Sequence, residues 1–248
     1  MIKTQSIEKL IKLRLSYMAS TYQAQVSNPA ILELSFDERL AMLLQSELDH
    51  RRTKRTKNLI RNSNMKIDAS LESVDYSASR QLNKSQIATL GECGWIVRGH
   101  NIIISGATGT GKTYLACAFG RRACELDFHV SYYRLPRLLN DLEIAKTNST
   151  YNRLMNQIKK SNILIIDDFA LARLSISESR DLLEIIDDRS KNSSCIFASQ
   201  IPPTNWYETF DDPTFADAIM DRIIHNSYQI ELKGPSMRKV TSTMEKTS

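Results

Sequence analysis

Long apolar runs, an apolar leader and paired cysteines are all missing from this 248-residue chain. Its longest apolar stretches, such as NIIIS and NILII, have the length of a strand and fall short of the ~18 residues that a membrane helix needs. The N-terminal segment MIKTQSIEKLIKLRLSYMAS carries charges throughout, so it lacks the apolar region of a signal peptide. We therefore expect a cytoplasmic protein with no membrane partner.

The four cysteines do not form a pattern typical of a zinc module or a disulfide scaffold. No two of them stand in a CxxC pair. Cys117 and Cys124 are seven positions apart on one predicted helix, which separates them by about 10 Å along its axis and is too far for a disulfide. The histidines likewise lack the spacing of metal ligands. We expect a reduced chain without structural metal.

Acidic residues are outnumbered only in the first quarter of the chain. Residues 1–64 hold 11 Lys and Arg against 6 Asp and Glu, whereas residues 65–248 hold 22 of each kind. The formal net charge of +5 therefore belongs entirely to the first segment. Such asymmetry indicates that one segment contacts a polyanion and that a neutral remainder is attached to it.

Two helices are predicted at the N-terminus. The first runs over residues 6–26, where apolar side chains recur at helical spacing, and Asn28-Pro29 ends it. The second starts near Ser35, a plausible N-cap because Glu38 stands three residues on, as in a capping box. This second helix carries leucines on one face and then turns basic.

Composition divides the chain into three predicted parts. Residues 62–85 are polar and rich in Ser and Asn, as is typical of a connector. We therefore predict a small all-α basic N-terminal domain over 1–64, a linker over 65–85 and a further domain over 86–248.

Strands and helices alternate after Gln86. The strands are continuously apolar rather than alternating, and each is followed by a helix, which predicts an α/β fold with a parallel sheet covered by helices. The predicted strands cover residues 101–105, 129–134, 162–167, 195–200 and 228–232.

A glycine-rich segment between the first strand and its helix carries the strongest chemical signal. GATGTGKT fits the pattern G-x-x-x-x-G-K-[ST] at every position. Glycines let backbone N–H groups approach phosphate, the helix N-terminus adds positive charge, Lys112 reaches the β- and γ-phosphates, and the Thr113 hydroxyl is a Mg²⁺ ligand. We predict an ATP and Mg²⁺ site formed by Gly106, Ala107, Thr108, Gly109, Thr110, Gly111, Lys112 and Thr113.

Two acids end the strand NILIID. Asp167 is placed to hold Mg²⁺ through water, and Asp168 can polarise the attacking water as a general base. An aspartate reaches one methylene less than the glutamate more usual there, so we expect slow hydrolysis. Ser199 and Gln200 end the next strand and are expected to face the γ-phosphate. The alternatives are acids that only cap a strand and loop residues without a role.

These motifs resemble the AAA+ ATPases and, among them, the IstB-like transposition helper ATPases of IstA/IstB insertion sequences, relatives of DnaC-type helicase loaders. The likeness includes GATGTGKTYLACAFG, ILIIDDFAL, the block from Trp206 to Lys239 and the basic second helix, and covers most of residues 30–240. IstB-like sequences often have Gly after DDF. This chain has Ala170 there, which we expect to alter only a loop.

The resemblance implies further roles and a homo-oligomer with ATP at its subunit interfaces. Gln200 matches the sensor 1 position, Arg222 the arginine finger that reaches a neighbouring subunit's γ-phosphate, and Arg238 the sensor 2 arginine. An arginine supplies a fixed cationic fork for transition-state charge. The alternative for both arginines is a surface ion pair, with Asp217 and Asp221 close to Arg222 in sequence. Two residues upstream are candidates to border adenine, namely Tyr76 and Gln81.

The basic part of the second helix is the candidate DNA-binding surface. Its cations share one face and its flanks, and no acid or aromatic residue interrupts HRRTKRTKNLIR. Base stacking on single strands is therefore not indicated, whereas sequence-independent contact with duplex phosphates is. A solvated helix face is the alternative. The candidate residues are Arg51, Arg52, Lys54, Arg55, Lys57 and Arg61.

Together these observations favour an ATP-dependent, DNA-binding AAA+ regulator of transposition. ATP would bridge subunits, the oligomer would form on target duplex DNA and recruit and stimulate a transposase, and hydrolysis would reset the assembly. Residues 1–64 would then bind DNA and residues 86–248 would form the ATPase. A DnaC-type helicase loader, which would prefer single strands, is the alternative. A small-molecule kinase is disfavoured because the chain offers a paired-acid strand end and a basic arm.

Overall fold

The computed structural model describes residues 2–77, 80–190 and 193–237. The chain forms two compact units, Met1–Asn58 and Leu59–Ser248. Four helices open the chain: α1 (Ile2–Lys12), α2 (Ser16–Ser27), α3 (Pro29–Leu32) and α4 (Phe36–Asn62). Within the described ranges, no helix is both long enough and apolar enough to cross a bilayer.

The predicted first helix, 6–26, is in fact two helices. Arg14 has a φ of 60°, a left-handed conformation that ends α1. The buried carboxylate of Glu47 accepts hydrogen bonds from the N–H groups of Tyr17 and Met18, each at 3.1 Å, and so satisfies the first turn of α2. The acceptor lies about thirty positions away, which is why local sequence did not reveal the break.

The predicted helix boundaries at Asn28-Pro29 and at Ser35 are confirmed. Asn28 caps α3, accepting from the N–H of Ala30 at 3.1 Å, and Pro29 is the first residue of that helix. Ser35 and Glu38 form the expected reciprocal bonds, with the Glu38 carboxylate accepting from the Ser35 N–H at 2.9 Å. Helix α4 therefore begins where the capping box predicted.

The larger unit is an α/β fold with one five-stranded sheet. All its strands are parallel, in the order β2-β3-β4-β1-β5, which confirms the predicted fold class. Two short 3₁₀ turns follow β4. The elements are α5 (Lys84–Gly91), α6 (Gly94–Val97), β1 (Asn101–Gly106), α7 (Lys112–Glu125), β2 (Val130–Arg134), α8 (Leu135–Thr147), α9 (Tyr151–Lys159), β3 (Ile163–Phe169), α10 (Ile176–Arg189), β4 (Ser194–Ser199), α11 (Pro213–Ile224) and β5 (Ser227–Leu232).

Each face of the sheet packs in its own apolar cluster. Ile102 and Ile104 of β1 join the cluster that includes α7, whereas Ile103 joins the cluster that includes α8, α10 and α11. Successive residues of a strand point to opposite faces, so a strand that is apolar throughout is buried on both sides. This explains why the predicted strands were continuously apolar.

The segment 65–85, predicted as a linker, packs instead against the larger unit. Ala69 and Val74 are buried in the cluster that includes α7, and the unit itself begins at Leu59 rather than after residue 64. The Tyr132 N–H of β2 donates to the Ser63 carbonyl at 2.8 Å, so this part of the chain covers the edge strand. Met65, Leu71, Tyr76 and Leu82 also pack against this cluster, so apolar side chains spaced within a polar segment dock it.

A buried arginine ties three elements of the larger unit together. Arg189, at the end of α10, is 2% exposed. Its Nη1 donates to the carbonyls of Ile158 and Ser161 at 2.9 and 3.1 Å, and its Nη2 donates to that of Ser194 at 2.8 Å. The guanidinium thus contributes donors to buried carbonyls at the end of α9 and at the start of β4.

All four cysteines are buried, and none of them forms a disulfide. Burial raises the pKa of the Cys93 and Cys117 thiols to about 11 and that of Cys124 to about 12. Such thiols stay protonated and act as small apolar side chains.

Candidate nucleotide site

The strand order brings the predicted motifs to one edge of the sheet. Strand β4 lies between β1, which leads into the glycine-rich loop, and β3, which ends in the two acids. Gln200 directly follows β4 and therefore comes between them. In parallel sheets, ligands bind beyond the carboxyl ends of the strands, where the order of connection reverses.

The loop glycines are held against the segment that follows β5. Gly106 and Gly109 have φ values of 149° and 80°. A Cβ on Gly106 would lie 2.3 Å from the Leu232 carbonyl oxygen, and one on Gly109 would lie 2.2 Å from the Ser236 hydroxyl. The Gly109 carbonyl also accepts from the Met237 N–H at 2.9 Å. These positions need glycine for close packing as well as for approach to phosphate.

Internal hydrogen bonds shape the loop itself. The Ala107 carbonyl accepts from the Thr110 hydroxyl and from Lys112 Nζ, both at 2.8 Å. On the other side, Arg80 Nη2 donates to the Thr110 carbonyl at 2.7 Å from a buried position. The loop therefore has a defined shape, and the Lys112 ammonium lies beside it.

Asp167 accepts three hydrogen bonds within the site. Its Oδ2 accepts from the Thr113 hydroxyl at 2.8 Å and from the Tyr132 hydroxyl at 2.7 Å, and its Oδ1 accepts from the Asp168 N–H at 3.0 Å. Burial, together with the hydrogen bond to Asp167, raises the pKa of the Tyr132 phenol. The tyrosine thus stays a donor, and it fixes the carboxylate beside the Thr113 hydroxyl.

A local irregularity turns both acids toward one cleft. Adjacent strand residues normally point to opposite faces of a sheet. Here the pairing of β3 with β4 shifts register between Ile166 and Phe169, and Asp168 adopts a left-handed φ of 55°. A bulge of this kind re-aims a side chain, and aspartate tolerates the left-handed region better than most residues. Asp167 and Asp168 consequently line the same cleft.

Asp168 is not free to act alone, because it forms an ion pair with Arg134. Arg134 Nε at the end of β2 lies 2.5 Å from Asp168 Oδ2. The Arg134 side chain is 50% exposed, and that of Asp168 is 17% exposed. Neither contact between β2 and the acids was predicted, because Tyr132 and Arg134 belong to a strand without a motif.

The cleft has a volume of about 380 Å³. It includes most of the predicted residues, namely Thr108, Gly109, Gly111, Lys112, Thr113, Asp167, Asp168 and Gln200. It also includes residues that motif reasoning missed, namely Ile67, Tyr114, Arg134, Leu171 and Met237. Tyr76 and Gln81, the candidates to border adenine, are not among its lining residues.

The expectation that Ser199 faces the γ-phosphate is wrong. Ser199 is fully buried, and its hydroxyl accepts from Trp206 Nε1 at 3.0 Å and from the Ile201 N–H at 3.3 Å. Its role is to hold the turn after β4. Gln200, the next residue, is exposed and lines the cleft.

The predicted arginine finger lies outside the cleft of its own chain. Arg222 on α11 forms an ion pair with Asp187 of α10, and its Nη1 donates to the Ala218 carbonyl at 2.8 Å. The partner is therefore neither Asp217 nor Asp221, the acids near it in sequence. The predicted sensor 2 residue, Arg238, lies outside the described residues.

All six candidate DNA-binding residues are exposed along α4. Arg51 has a structural tie, because its Nε lies 2.9 Å from Glu47 Oε1 and its Nη2 donates to the Arg14 carbonyl at 3.4 Å. The prediction considered only the acid-free segment HRRTKRTKNLIR and missed Glu47, an acid one helical turn upstream of Arg51. The exposed surface is still strongly cationic.

The sheet has five parallel strands, a glycine-rich loop joins β1 to α7, and a pair of acids ends β3, which is separated from β1 by β4. This arrangement defines a P-loop NTPase of the AAA+ class. The chain belongs to the IstB family: the family model described as IstB-like ATP binding protein matches residues 8–245.

Curated relatives agree with this membership. A protein of Sinorhizobium fredii, named as an insertion sequence ATP-binding protein, is 36% identical over 239 residues, 96% of this chain and 98% of its own length. The insertion sequence IS1162 ATP-binding protein of Pseudomonas fluorescens is 41% identical over 203 residues, 82% and 88% of the two chains. The crystal structure of DnaI has a TM-score of 0.59 at 23% identity, covering 73% of this chain and 92% of that one, and supports the fold.

Proposed function

We propose that this chain is a Mg²⁺-dependent ATPase that assembles on duplex DNA and serves a transposase. The observation that carries the proposal is the hydrogen bond between the Thr113 hydroxyl and Asp167 Oδ2 at 2.8 Å. It joins the loop suited to phosphate with the acid suited to a cation. Membership of a family described as ATP binding proteins supports ATP as the nucleotide.

The residues present fit Mg²⁺. Thr113 and Asp167 offer a hydroxyl and a carboxylate oxygen, the kind of ligand that Mg²⁺ prefers. Mg²⁺ usually keeps several waters and binds through one or two carboxylates plus substrate phosphates, so phosphate and water oxygens would complete the coordination. When bound, the ion supplies positive charge that offsets the charge of the β- and γ-phosphate oxygens.

Hydrolysis would use the remaining residues of the cleft. The Asp168 carboxylate accepts a proton from the attacking water while the water oxygen bonds to the γ-phosphorus and the bond from that phosphorus to the β–γ bridging oxygen breaks. Lys112 offsets charge on the phosphates, and Gln200 orients the water or the γ-phosphate. The products are ADP, inorganic phosphate and a proton.

Oligomerisation would complete the site. Arg222 is exposed enough to leave Asp187 and reach a nucleotide held by a neighbouring subunit, and its family position supports that role. Arg238 is proposed to act on the γ-phosphate as the sensor 2 arginine. A site completed in this way hydrolyses ATP slowly as a monomer and faster as an oligomer.

DNA and transposase contacts extend the proposal to the N-terminal unit. The exposed cations of α4 suit duplex phosphates, with little dependence on base sequence. The relatives are named as insertion sequence proteins, which supports a transposase as the partner.

The proposal is tested with Asp168→Asn and Lys112→Ala in the full chain. Asp168→Asn should bind ATP and lose turnover, because Asp167 remains and the base is removed, and it should lock the assembly on DNA. Lys112→Ala should lose ATP-dependent assembly, because a charge-assisted contact with phosphate is worth about 1.5–3 kcal/mol, roughly ten- to a hundredfold in affinity. Unchanged turnover in Asp168→Asn would remove the assigned base. Normal ATP-dependent oligomers from Lys112→Ala would contradict the phosphate site.

A helicase-loader role makes a different prediction for the same assembly. Mass photometry with ATP should show oligomers on a 40-base-pair duplex rather than on a single strand of equal length. Preference for the single strand would favour the loader.

A further inference from the structure

A buried arginine lies against the glycine-rich loop without lining the nucleotide cleft. Arg80 is 7% exposed and is not among the lining residues of the cleft. Its Nη2 donates to the Thr110 carbonyl at 2.7 Å, and a Cβ on Gly111 would lie 3.0 Å from the same nitrogen. Arg80 belongs to the segment before α5 and to none of the nucleotide-binding motifs of the sequence.

The position of Arg80 is fixed by packing on both sides of it along the chain. Tyr76 and Leu82 pack against the apolar cluster that includes α7. The Arg80 carbonyl accepts from the Lys233 N–H, in the segment that follows β5, at 3.4 Å. A side chain whose backbone is held in this way keeps one place relative to the loop, so its contact with Thr110 is preorganised.

The contact with Arg80 orients a peptide group of the loop. The peptide between Thr110 and Gly111 is trans, and in a planar trans peptide the C=O and the following N–H point in opposite directions. Because Arg80 holds the Thr110 carbonyl on its own side, the Gly111 N–H is directed away from Arg80. Gly111 itself lines the nucleotide cleft. Its N–H is therefore placed to donate to a phosphate oxygen in that cleft.

In the described part of the chain, the charge of Arg80 is not paired with an acid. Its Nε is also buried and, over the same residues, has no hydrogen-bond partner. Taking a charge out of water is costly unless an opposite charge lies near it. A phosphate at the Gly111 N–H would supply that charge across a single peptide group. The guanidinium would in turn polarise this peptide and strengthen its N–H as a donor.

We propose that Arg80 is a positioning residue of the nucleotide site, which holds the Gly111 N–H toward the phosphates that ATP and ADP share. The inference rests on the proposed function and adds to it a cation outside the motifs. Backbone N–H groups of such a loop cradle the α- and β-phosphates, so Arg80 acts on the affinity for either nucleotide. Other residues contact the γ-phosphate and the attacking water, so the rate of the bound complex depends little on Arg80.

The first experiment compares Arg80→Met with Arg80→Lys in the full chain. Arg80→Met keeps much of the apolar volume and removes the donor and its charge, so it should weaken the binding of ADP with a fluorescent ribose label and Mg²⁺ about tenfold. Because the contact with Thr110 uses one nitrogen, Arg80→Lys can supply it and should stay within about threefold of wild type. Equal losses in the two variants would overturn the role of the cation.

Arg122→Met is the matched control. Arg122 also donates to a backbone carbonyl of the larger unit, that of Gly91 at 3.2 Å, and it does not line the nucleotide cleft. This variant should bind ADP as wild type does. Urea unfolding without nucleotide measures stability separately. If Arg80→Met lowers the unfolding midpoint and binds ADP with wild-type affinity, Arg80 has a structural role only and the inference is overturned.

Two further measurements on Arg80→Met locate the effect on the nucleotide. The affinities for ADP, for the non-hydrolysable ATP analogue AMPPNP and for inorganic pyrophosphate, measured by displacement of the labelled ADP, should fall by the same factor. In turnover, the loss should appear as a higher KM, with kcat changed by less than about twofold. A loss confined to AMPPNP would place Arg80 at the γ-phosphate, and a loss that spares pyrophosphate would place it at the base; either result overturns the inference.

The outcome for wild type separates this inference from the proposed function. If wild type with Mg²⁺ binds neither ADP nor AMPPNP, the proposed function fails and the inference fails with it. If wild type binds and hydrolyses ATP while Arg80→Met binds both nucleotides as wild type does, the proposed function stands and Arg80 is not a positioning residue.

Discussion

The two units of this chain are stabilised in different ways. In the larger unit the strands are buried on both faces of the sheet between two apolar clusters. In the described part of the N-terminal unit, the buried side chains are those of Ala19, Gln25 and Glu47, and two of these three are polar. Large apolar side chains there are exposed instead, including Leu13, Phe36 and Leu48. The first unit depends on caps and hydrogen bonds, and such regions open locally at low free energy.

The largest effect is expected in the larger unit, from Arg189→Ala. The substitution removes the hydrogen bonds that Arg189 donates to buried carbonyls at the end of α9 and the start of β4 and leaves a cavity, and we expect it to destabilise the unit by about 3–5 kcal/mol. Urea unfolding followed by tryptophan fluorescence reports on this unit alone, because both tryptophans, Trp95 and Trp206, are buried in it. Arg180→Ala, on the exposed face of the same helix, should change stability by no more than about 0.5 kcal/mol. Equal midpoints for the two variants would show that Arg189 is dispensable.

The next effect concerns DNA binding by the N-terminal unit. Changing Arg51, Lys54 and Arg55 to Glu should abolish duplex binding and leave ATP binding intact. A variant with glutamine at these same three positions should lower the slope of log K against log[salt] for duplex binding by about 2.7, at about 0.9 per contact. A variant with Lys9, Lys12 and Arg14 changed to Gln carries the same loss of charge in the same unit and should keep the slope. Identical slopes for both triple variants would remove the α4 surface as the contact.

A smaller effect tests the cap that shapes the N-terminal unit. Although burial opposes ionisation, the Met18 N–H and the Arg51 guanidinium lower the pKa of Glu47 below its ordinary value. A carboxylate whose pKa is lower in the folded state stabilises the fold at pH values above its unfolded-state pKa. That contribution is lost as the pH falls through the folded-state pKa. Glu47→Gln should therefore reduce stability by about 0.5–2 kcal/mol at neutral pH and converge with wild type in acid.

Amide hydrogen exchange of Tyr17 and Met18 in the full chain measures this locally. Protection, corrected for the intrinsic rate at each pH, should fall in wild type on acidification and stay flat in Glu47→Gln. Parallel pH profiles would rule out Glu47 as the cap of α2.

The smallest effect is expected at Ala170. It was expected to alter only a loop, yet it is buried and has a left-handed φ of 56°. That conformation costs a non-glycine residue about 1–2 kcal/mol. A glycine avoids this cost but destabilises the fold by roughly 0.5–1 kcal/mol relative to alanine, because its unfolded chain has more conformational freedom. Ala170→Gly should therefore stabilise by up to about 1 kcal/mol. Ala145→Gly, in the interior of α8, should destabilise by a similar amount, and a matching sign at both positions would count against strain at Ala170.

The sequence predicted what depends on local pattern. The glycine-rich loop, the strand acids and the capping box at Ser35 are short motifs whose geometry follows from neighbouring residues. The contacts made by Tyr132 and Arg134 depend instead on which strand lies beside β3, and the strand order is a property of the whole fold. The break at Arg14 was missed for the same reason, because its compensating acceptor, Glu47, lies on another helix.

The Ser63 carbonyl on the outer side of β2 has a consequence for assembly. An edge strand with exposed backbone groups is a template for strand addition by another chain. Here the Tyr132 N–H is already bonded to Ser63, and at the opposite edge Gln86 Nε2 donates to the Gln229 carbonyl of β5 at 3.1 Å. Both borders of the sheet are thus partly occupied by the chain's own residues, so the proposed assembly should use helices and loops and leave the five-stranded sheet unextended.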